Sequence, residues 1–190
     1  MKELQKLAWP SRWINILLTV SVIAYLYSLP RVGDAFGYPE TSEENLPFIL
    51  LWVGTHFSIG WASATHAWNG LIATTGSAVK LLGWDEDRKT EHEERLESFM
   101  RMVWGTRLTF LIASVIIAIP LALSAFSLLT TGYPSESTAH VRQLLAFLVI
   151  SPGLFGFTSW VFLKNRLVQY QEKILPVIQK AQLKEFGRDK

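Results

Sequence analysis

Four long runs of apolar residues alternate with charged segments along the chain, at residues 13–29, 46–70, 108–129 and 143–163. None of these runs contains Lys, Arg, Asp or Glu. A helix that rises 1.5 Å per residue needs about 20 such residues to cross a hydrocarbon core of about 30 Å. The pattern therefore predicts an all-α, polytopic membrane protein with four transmembrane helices.

Proline and glycine positions indicate where these helices end. We expect the first span to stop at Pro30, because proline lacks a backbone N–H and its ring clashes with the preceding turn. Beyond residue 70 the chain stays uncharged until Lys80. This is too long for one crossing, so residues 71–84 are interpreted as an interfacial continuation, broken near Gly76 and Gly83.

The segments between the spans contain no recognisable soluble domain, so residues 1–190 form a single membrane domain. The loop 80–107 contains a highly charged stretch that is followed by apolar residues at helical spacing, which predicts an amphipathic helix leading into the third span. The tail 164–190 also has the pattern of an amphipathic helix, interrupted at Pro176.

The basic residues are distributed very unevenly between the two sides. With both termini on one side, 16 of the 18 Lys and Arg residues lie there, and only Arg31 and Arg142 lie on the other. The positive-inside bias makes the basic side cytoplasmic. We therefore expect both termini to be cytoplasmic, in a bacterial or archaeal cytoplasmic membrane.

Composition narrows the possible chemistry. The 190 residues are 49% hydrophobic and 18% charged, with a formal net charge of +2 and no Cys. The lack of Cys excludes Cys-ligated zinc, iron–sulfur clusters and covalently attached haem. The low net charge gives no reason to expect a nucleic-acid partner, and uncharged spans count against a proton-coupled pump. We therefore predict no enzyme activity and no cofactor.

The second span carries more polar residues than any other apolar run, and it holds both histidines found within these runs. At about 100° per residue, one arc holds Trp52, Thr55, His56, Gly60, Ser63, His66 and Gly70. The opposite arc holds Phe57, Trp61, Ala64, Trp68 and Leu71. We expect the first arc to pack on protein and the second to face lipid. The candidate binding residues are Thr55, His56, Ser63, His66 and Asn69.

Histidine within the hydrocarbon requires a physical reason. His56 and His66 could be neutral donors to neighbouring carbonyl groups, or one of them could be an axial ligand of haem b. They lie ten residues apart on one helix, roughly 15 Å, so they cannot serve the same iron. Within the chain only Met100 or Met102 could pair with His66, and otherwise a partner subunit must supply the second ligand. His92 is expected on a solvated face.

The start of the second span resembles a known family. The run from Ser42 to Trp52, followed by His66, is similar to the small integral-membrane subunit of tripartite ATP-independent periplasmic (TRAP) transporters. Residues 151–156 are a loose counterpart of the Pro-Leu-Gly-like kink in that family's last span. The resemblance implies a non-catalytic scaffold that braces a larger translocating subunit, with Glu43, Glu44 and Trp52 at the interface. Gly60 and Gly70 are further interface candidates, because small residues permit close packing.

Two functions remain open at this point. The preferred one is an accessory subunit that lies in the lipid bilayer and scaffolds larger integral-membrane subunits, with a solute transporter as the favoured complex. The alternative is the membrane anchor of a respiratory or other redox complex, in which His56 or His66 and a partner subunit hold haem b or quinone. In that alternative His66 is the axial ligand.

Overall fold

The computed structural model describes the backbone of residues 6–38, 41–80, 86–131, 143 and 146–186, and the side chains of 6–38, 41–75, 90–118, 143, 147–180 and 183. All secondary structure in this part of the chain is helical. Its helices are α1 (Ser11–Gly37), α2 (Leu46–Lys80), α3 (Glu86–Thr131), α4 (Ser151–Gln169) and α5 (Leu175–Phe186). Two π-helical turns, Ala146–Ile150 and Tyr170–Ile174, precede α4 and α5.

Four helical stretches are long and apolar enough to cross a membrane, which confirms the prediction of an all-α protein with four candidate spans. They are Ser11–Gly37, Leu46–Thr75, Thr90–Ala118 and Phe147–Lys180. A helix satisfies its own backbone hydrogen bonds, so it is the structure that such an apolar run adopts in lipid.

The helices are longer than the sequence predicted. The expected end of the first span at Pro30 is wrong, because α1 continues through Pro30 to Gly37. One missing hydrogen bond is offset there by packing, since Val32, Gly33 and Ala35 are buried in the last turns. The expected break near Gly76 is also absent, because α2 is continuous to Lys80. The expected break near Gly83 lies outside the described residues.

The charged loop and the third span form one helix of 46 residues, α3, as the helical spacing indicated. The tail also continues the fourth span, and its interruption takes the form of the π-helical turn Tyr170–Ile174 just before Pro176. That turn lets the chain accommodate the proline while remaining helical.

The helices pack in the order α1, α2, α4, α3, so α2 and α4 lie in the middle of the bundle. Glycines bring the central helices close together. A Cβ atom at Gly60 of α2 would lie 2.5 Å from Thr158 Oγ1 of α4, and one at Gly156 of α4 would lie 3.0 Å from the backbone of Phe110 in α3. The role of Gly60 in close packing, predicted from the sequence, is therefore seen inside this chain.

A cluster of large apolar side chains joins α2 to the tail helix. It contains Trp68, Leu71, Ile72, Tyr170, Ile174 and Ile178. The prediction that Ala64, Trp68 and Leu71 face lipid is wrong, because each is at most 1% exposed. The tail covers Trp68 and Leu71, and Ala64 packs against Phe99 of α3 and Leu163 of α4. The sequence pattern could not tell an apolar protein neighbour from lipid.

The segment before α1 is tied to the same end of α2. Trp9 N–H donates to Asn69 Oδ1 at 3.0 Å, and Asn69 Nδ2 donates back to Trp9 O at 2.6 Å. Trp68 Nε1 donates to Leu7 O at 3.1 Å, and the Trp9 and Trp61 rings meet edge to face at 5.1 Å. These contacts, which we call the N-terminal clasp, position the first turn of α1 against α2.

Candidate functional site

His56 lies at the centre of a buried hydrogen-bond network that we call the His56 hub. Its Nδ1 is 2.7 Å from Trp52 O, one turn earlier in α2, and its Nε2 is 2.7 Å from Ser151 Oγ at the start of α4. A carbonyl oxygen only accepts, so Nδ1 carries the hydrogen, and in the neutral ring Nε2 accepts from the Ser151 hydroxyl. Ser151 Oγ is 3.1 Å from Tyr25 OH of α1, which completes the chain by donating to it.

The hub links three helices at one point. Thr158 Oγ1 of α4 donates to His56 O at 3.1 Å, and this second contact between α2 and α4 is possible because Gly60 leaves room for Thr158. The His56 ring also meets Tyr25 and Trp52 edge to face, at 5.4 and 4.7 Å. The hub therefore aligns α1, α2 and α4 through hydrogen bonds that no lipid could replace.

Both ring nitrogens of His56 are already engaged, which limits what this residue can do. Ligation of a metal through Nε2 would break the bond to Ser151, and ligation through Nδ1 would break the bond to Trp52 O. Serine and histidine at 2.7 Å also have the spacing of a nucleophile and its base. Here, however, Ser151 is 8% exposed and His56 3% exposed, and Tyr25 caps the hydroxyl. The hydrogen bonds of these two side chains therefore connect helices within the bundle.

The C-terminal half of α2 faces a cavity of about 520 Å³, which we call the His66 cavity. Three helices form its walls: Ile14, Asn15 and Leu18 come from α1, Ala62, Ser63, His66, Ala67 and Gly70 come from α2, and Arg95, Ser98, Phe99 and Met102 come from α3. The N-terminal clasp holds the α1 wall in place. His66 is exposed, unlike His56, so its ring is accessible from this cavity.

The predicted site residues lie in three different places. His56 and Thr55 belong to the buried N-terminal half of α2, where Thr55 Oγ1 donates to Trp52 O at 2.6 Å. Ser63 and His66 line the cavity, while Asn69 forms the clasp with Trp9. The structure therefore does not bring the five candidate binding residues together in one site.

The predicted interface residues also separate. Trp52 is 1% exposed and Gly60 is buried against α4, so both contact this chain's own helices and neither is free to meet a partner. Glu43 and Glu44 are exposed in the turn before α2. Gly70 has open space beside it, with no atom within 4 Å of where a Cβ would lie.

His92 is buried, and its predicted place on a solvated face is wrong. It is 4% exposed. Its Nδ1 is 3.2 Å from Thr75 Oγ1 of α2, and its Nε2 is 3.0 Å from Tyr170 OH in the turn after α4. The charged residues beside His92 in the sequence led to the wrong prediction, because a highly charged helix can still bury one face against neighbouring helices.

His92 lies in the charged first turns of α3, before the uncharged run that begins at Leu108. Five of the seven residues at 91–97 are charged, too many for a stretch within the hydrocarbon. Burial lowers the pKa of His92 below its ordinary value of 6.5, and the nearby carboxylate of Glu93 opposes this only in part. The neutral ring is therefore the form that joins α2, α3 and the tail.

Several signals could have identified the missed partners. Ser151 immediately precedes Pro152 and Gly153 in the fourth span, where a polar side chain beside a weakened helix needs an acceptor or donor. Tyr25 is a tyrosine in the middle of the first apolar run, where its hydroxyl needs a partner when it is buried. Neither residue type identifies which helix supplies the partner, and only the packing order does.

The described residues contain no group of three His, Asp or Glu side chains placed to hold a metal ion together. Comparison of the chain with protein-family models, with curated proteins and with solved structures gives no match. The described part of the chain is therefore an all-helical protein with four candidate membrane spans.

Proposed function

We propose that this protein is a non-catalytic accessory subunit that braces a larger integral-membrane partner. The observation that carries the proposal is the bare surface of α3. Only 6% of the most apolar stretch within Thr90–Ala118 is buried, against 33% within Phe147–Lys180. α3 contacts α2 and α4, but most of the side chains in this stretch remain uncovered and are available for a neighbour or for lipid.

The uncovered part of α3 contains a place where another helix can approach closely. Gly105 is exposed, and no atom lies within 4 Å of where its Cβ would be. Thr109, one turn further on, is exposed as well, and its Cβ borders the contact with Gly156 of α4. Its hydroxyl bonds to Gly105 O at 2.9 Å, within α3. A small residue on an open helix face favours helix association in membranes.

The resemblance to the TRAP small subunit supports a transporter as the larger complex. Of the three interface residues that it implies, Glu43 and Glu44 are exposed beside α2, and Trp52 supports the interface only indirectly, as part of the bundle. In this proposal the exposed acidic pair meets basic or donor groups of the partner, and α3 provides the apolar contact.

Co-purification with a matched pair of glycine variants tests this proposal. The tagged chain is expressed in its own cells, purified in a mild detergent and resolved by size and mass spectrometry. We expect a stoichiometric partner with many spans, lost in Gly105→Leu but retained in Gly54→Leu, because Gly54 is an equally open glycine on α2. A chain that runs alone, both in detergent and after extraction in native nanodiscs, would contradict the proposal.

A second substitution tests the transporter interpretation. If the acidic pair holds the interface, the double variant Glu43→Gln, Glu44→Gln should release the partner while leaving the unfolding of the isolated chain unchanged, since both side chains are exposed. Retention of the partner would remove the support that the TRAP resemblance lends to the proposal.

The redox alternative now rests on His66, because His56 is fully engaged. His66 and Met102 line the same cavity, so a His/Met pair is the haem ligation that a single chain could offer. An absorption spectrum of the gently purified complex, with and without dithionite, tests it. A Soret band that shifts on reduction and disappears in His66→Ala would establish the redox anchor, and a haem-free complex would exclude haem ligation.

A further inference from the structure

The His66 cavity has a mixed lining. From Ala62 to Gly70 it follows α2 for eight residue steps, or about 12 Å. We call the end at Gly70 and Arg95 the mouth, because Arg95 belongs to the charged stretch at 91–97. Asn15 and His66 add polar groups to the lining, and Leu18 and Met102 add apolar ones. The cavity thus combines one charged group with polar and apolar side chains.

The charge at the mouth is positive. Arg95 is the one charged side chain among the described residues that line the cavity. Within the described part of the chain it has no ion-pair partner, whereas Arg101 on the same helix pairs with Glu97 at 2.6 Å. The Arg95 donors are therefore available to a ligand that reaches the mouth.

The segments that form the mouth place it near the membrane surface. Gly70 closes the uncharged run of the second span, and Arg95, which lines the same cavity, belongs to the charged stretch at 91–97. Basic pockets between transmembrane helices at this level bind the headgroups of anionic lipids. A planar guanidinium binds phosphate through two parallel hydrogen bonds, and amide or imidazole groups can bind the remaining oxygens.

We infer that the His66 cavity is a binding site for one anionic phospholipid, with its phosphate held at Arg95, His66 and Asn15 and an acyl chain lying along Leu18 and Met102. The N-terminal clasp builds the α1 wall of this site. The inference is independent of the proposed function, because a lipid site within the bundle needs no partner subunit.

Titration of the purified full chain with lipid, followed by native mass spectrometry, tests the inference. The lipids are palmitoyl-oleoyl phosphatidylglycerol and the zwitterionic phosphatidylcholine with the same acyl chains, and glycerol phosphate serves as the soluble headgroup. We expect phosphatidylglycerol to bind with a stoichiometry of one and about fivefold more tightly than phosphatidylcholine, or more. Both lipids carry the phosphate, but the choline cation cancels its charge, and the attraction of one Arg to an anionic lipid is worth about 1 kcal/mol.

Two variants test the position of the lipid. Arg95→Gln should weaken phosphatidylglycerol binding about tenfold or more, while Arg101→Gln, on the same helix but outside the cavity, should leave it unchanged. Gly70→Leu should abolish binding by filling the cavity, and it should not disturb the fold, because no atom lies within 4 Å of the new Cβ. The thermal unfolding of each lipid-free variant provides the check on folding.

Four results would overturn the inference. The first is equal affinity for phosphatidylcholine, and the second is equal affinity of Arg95→Gln and Arg101→Gln for phosphatidylglycerol. The third is binding of glycerol phosphate as tight as that of the lipid, which would make the cavity a site for free phosphate esters. The fourth is a Soret band lost in Gly70→Leu, which would assign the cavity to haem.

Discussion

Substitution of Gly156 by alanine tests directly whether close backbone contact joins α3 and α4. A Cβ at this position would lie 3.0 Å from both Phe110 N and Thr106 O of α3, where ordinary contact begins at about 3.4 Å. The obstacle is backbone on both sides, so no side-chain rotation relieves it. The two helices must separate by about 0.4 Å or more, which loosens every contact along their interface.

The free-energy change can be isolated with a matched glycine. Alanine at Gly105 of α3 meets no atom within 4 Å. Both substitutions gain helix propensity, about 0.5–1 kcal/mol each, so their difference isolates the overpacking. Forced expansion of a packed site costs about 1–3 kcal/mol. We therefore expect Gly156→Ala to be less stable than Gly105→Ala by about that amount.

The assay is equilibrium unfolding in mixed micelles, followed by tryptophan fluorescence. A further control uses Gly153, whose Cβ would lie 2.9 Å from the Cβ of Ala113. Here the obstacle is a methyl group, so Ala113→Gly should rescue Gly153→Ala in a double-mutant cycle, although no side-chain truncation can rescue Gly156→Ala. Equal stability of Gly156→Ala and Gly105→Ala would refute the close contact between α3 and α4.

Four other predictions concern polar side chains. Ser151→Ala should cost about 1–3 kcal/mol, because it leaves His56 Nε2 without a partner. Ser159→Ala should be neutral or stabilising, because that buried hydroxyl has no partner in the described structure, and the same unfolding assay compares the two. Folding lowers the pKa of His92, so its contribution to stability is fully present above pH 6.5 and is lost as pH falls below that value. Unfolding measured from pH 8 to 5 should show this dependence, and His92→Gln should reduce it, whereas an unchanged slope would contradict it. Finally, Asn69→Ala removes the two hydrogen bonds between Asn69 and Trp9 in the clasp. It should expose the N-terminal segment to limited proteolysis, and wild-type cleavage rates would argue against the clasp.

The sequence alone determined the helices of this protein, because the bilayer imposes a simple rule. An uncharged run of about 20 residues has no way to satisfy its backbone in hydrocarbon except as a helix, and all four predicted runs lie largely within the helices described above. The bounds were less well determined. Pro30 and Gly76 lie within continuous helices, because packing on a neighbouring helix offsets the cost of one local defect.

The assignment of the faces of α2 was correct in one half and wrong in the other. Near His56 the small and polar arc is buried against α4, as the arc of Trp52, Thr55 and Gly60 predicted. About two turns beyond Gly60, His66 opens onto a cavity, while Trp68 is 0% exposed. The tail helix causes this change, since it packs on the face that the sequence had assigned to lipid.

Only the tertiary structure decided which histidine is engaged and which is accessible. In water, burial separates apolar from polar faces, so periodicity identifies the core. In a membrane both lipid and protein neighbours are apolar, so the pattern shows that a helix has two faces but not what covers each. The hydrogen bonds of His56 to Ser151 and of His92 to Tyr170 join residues far apart in the chain, and their partners depend on the packing order of the helices.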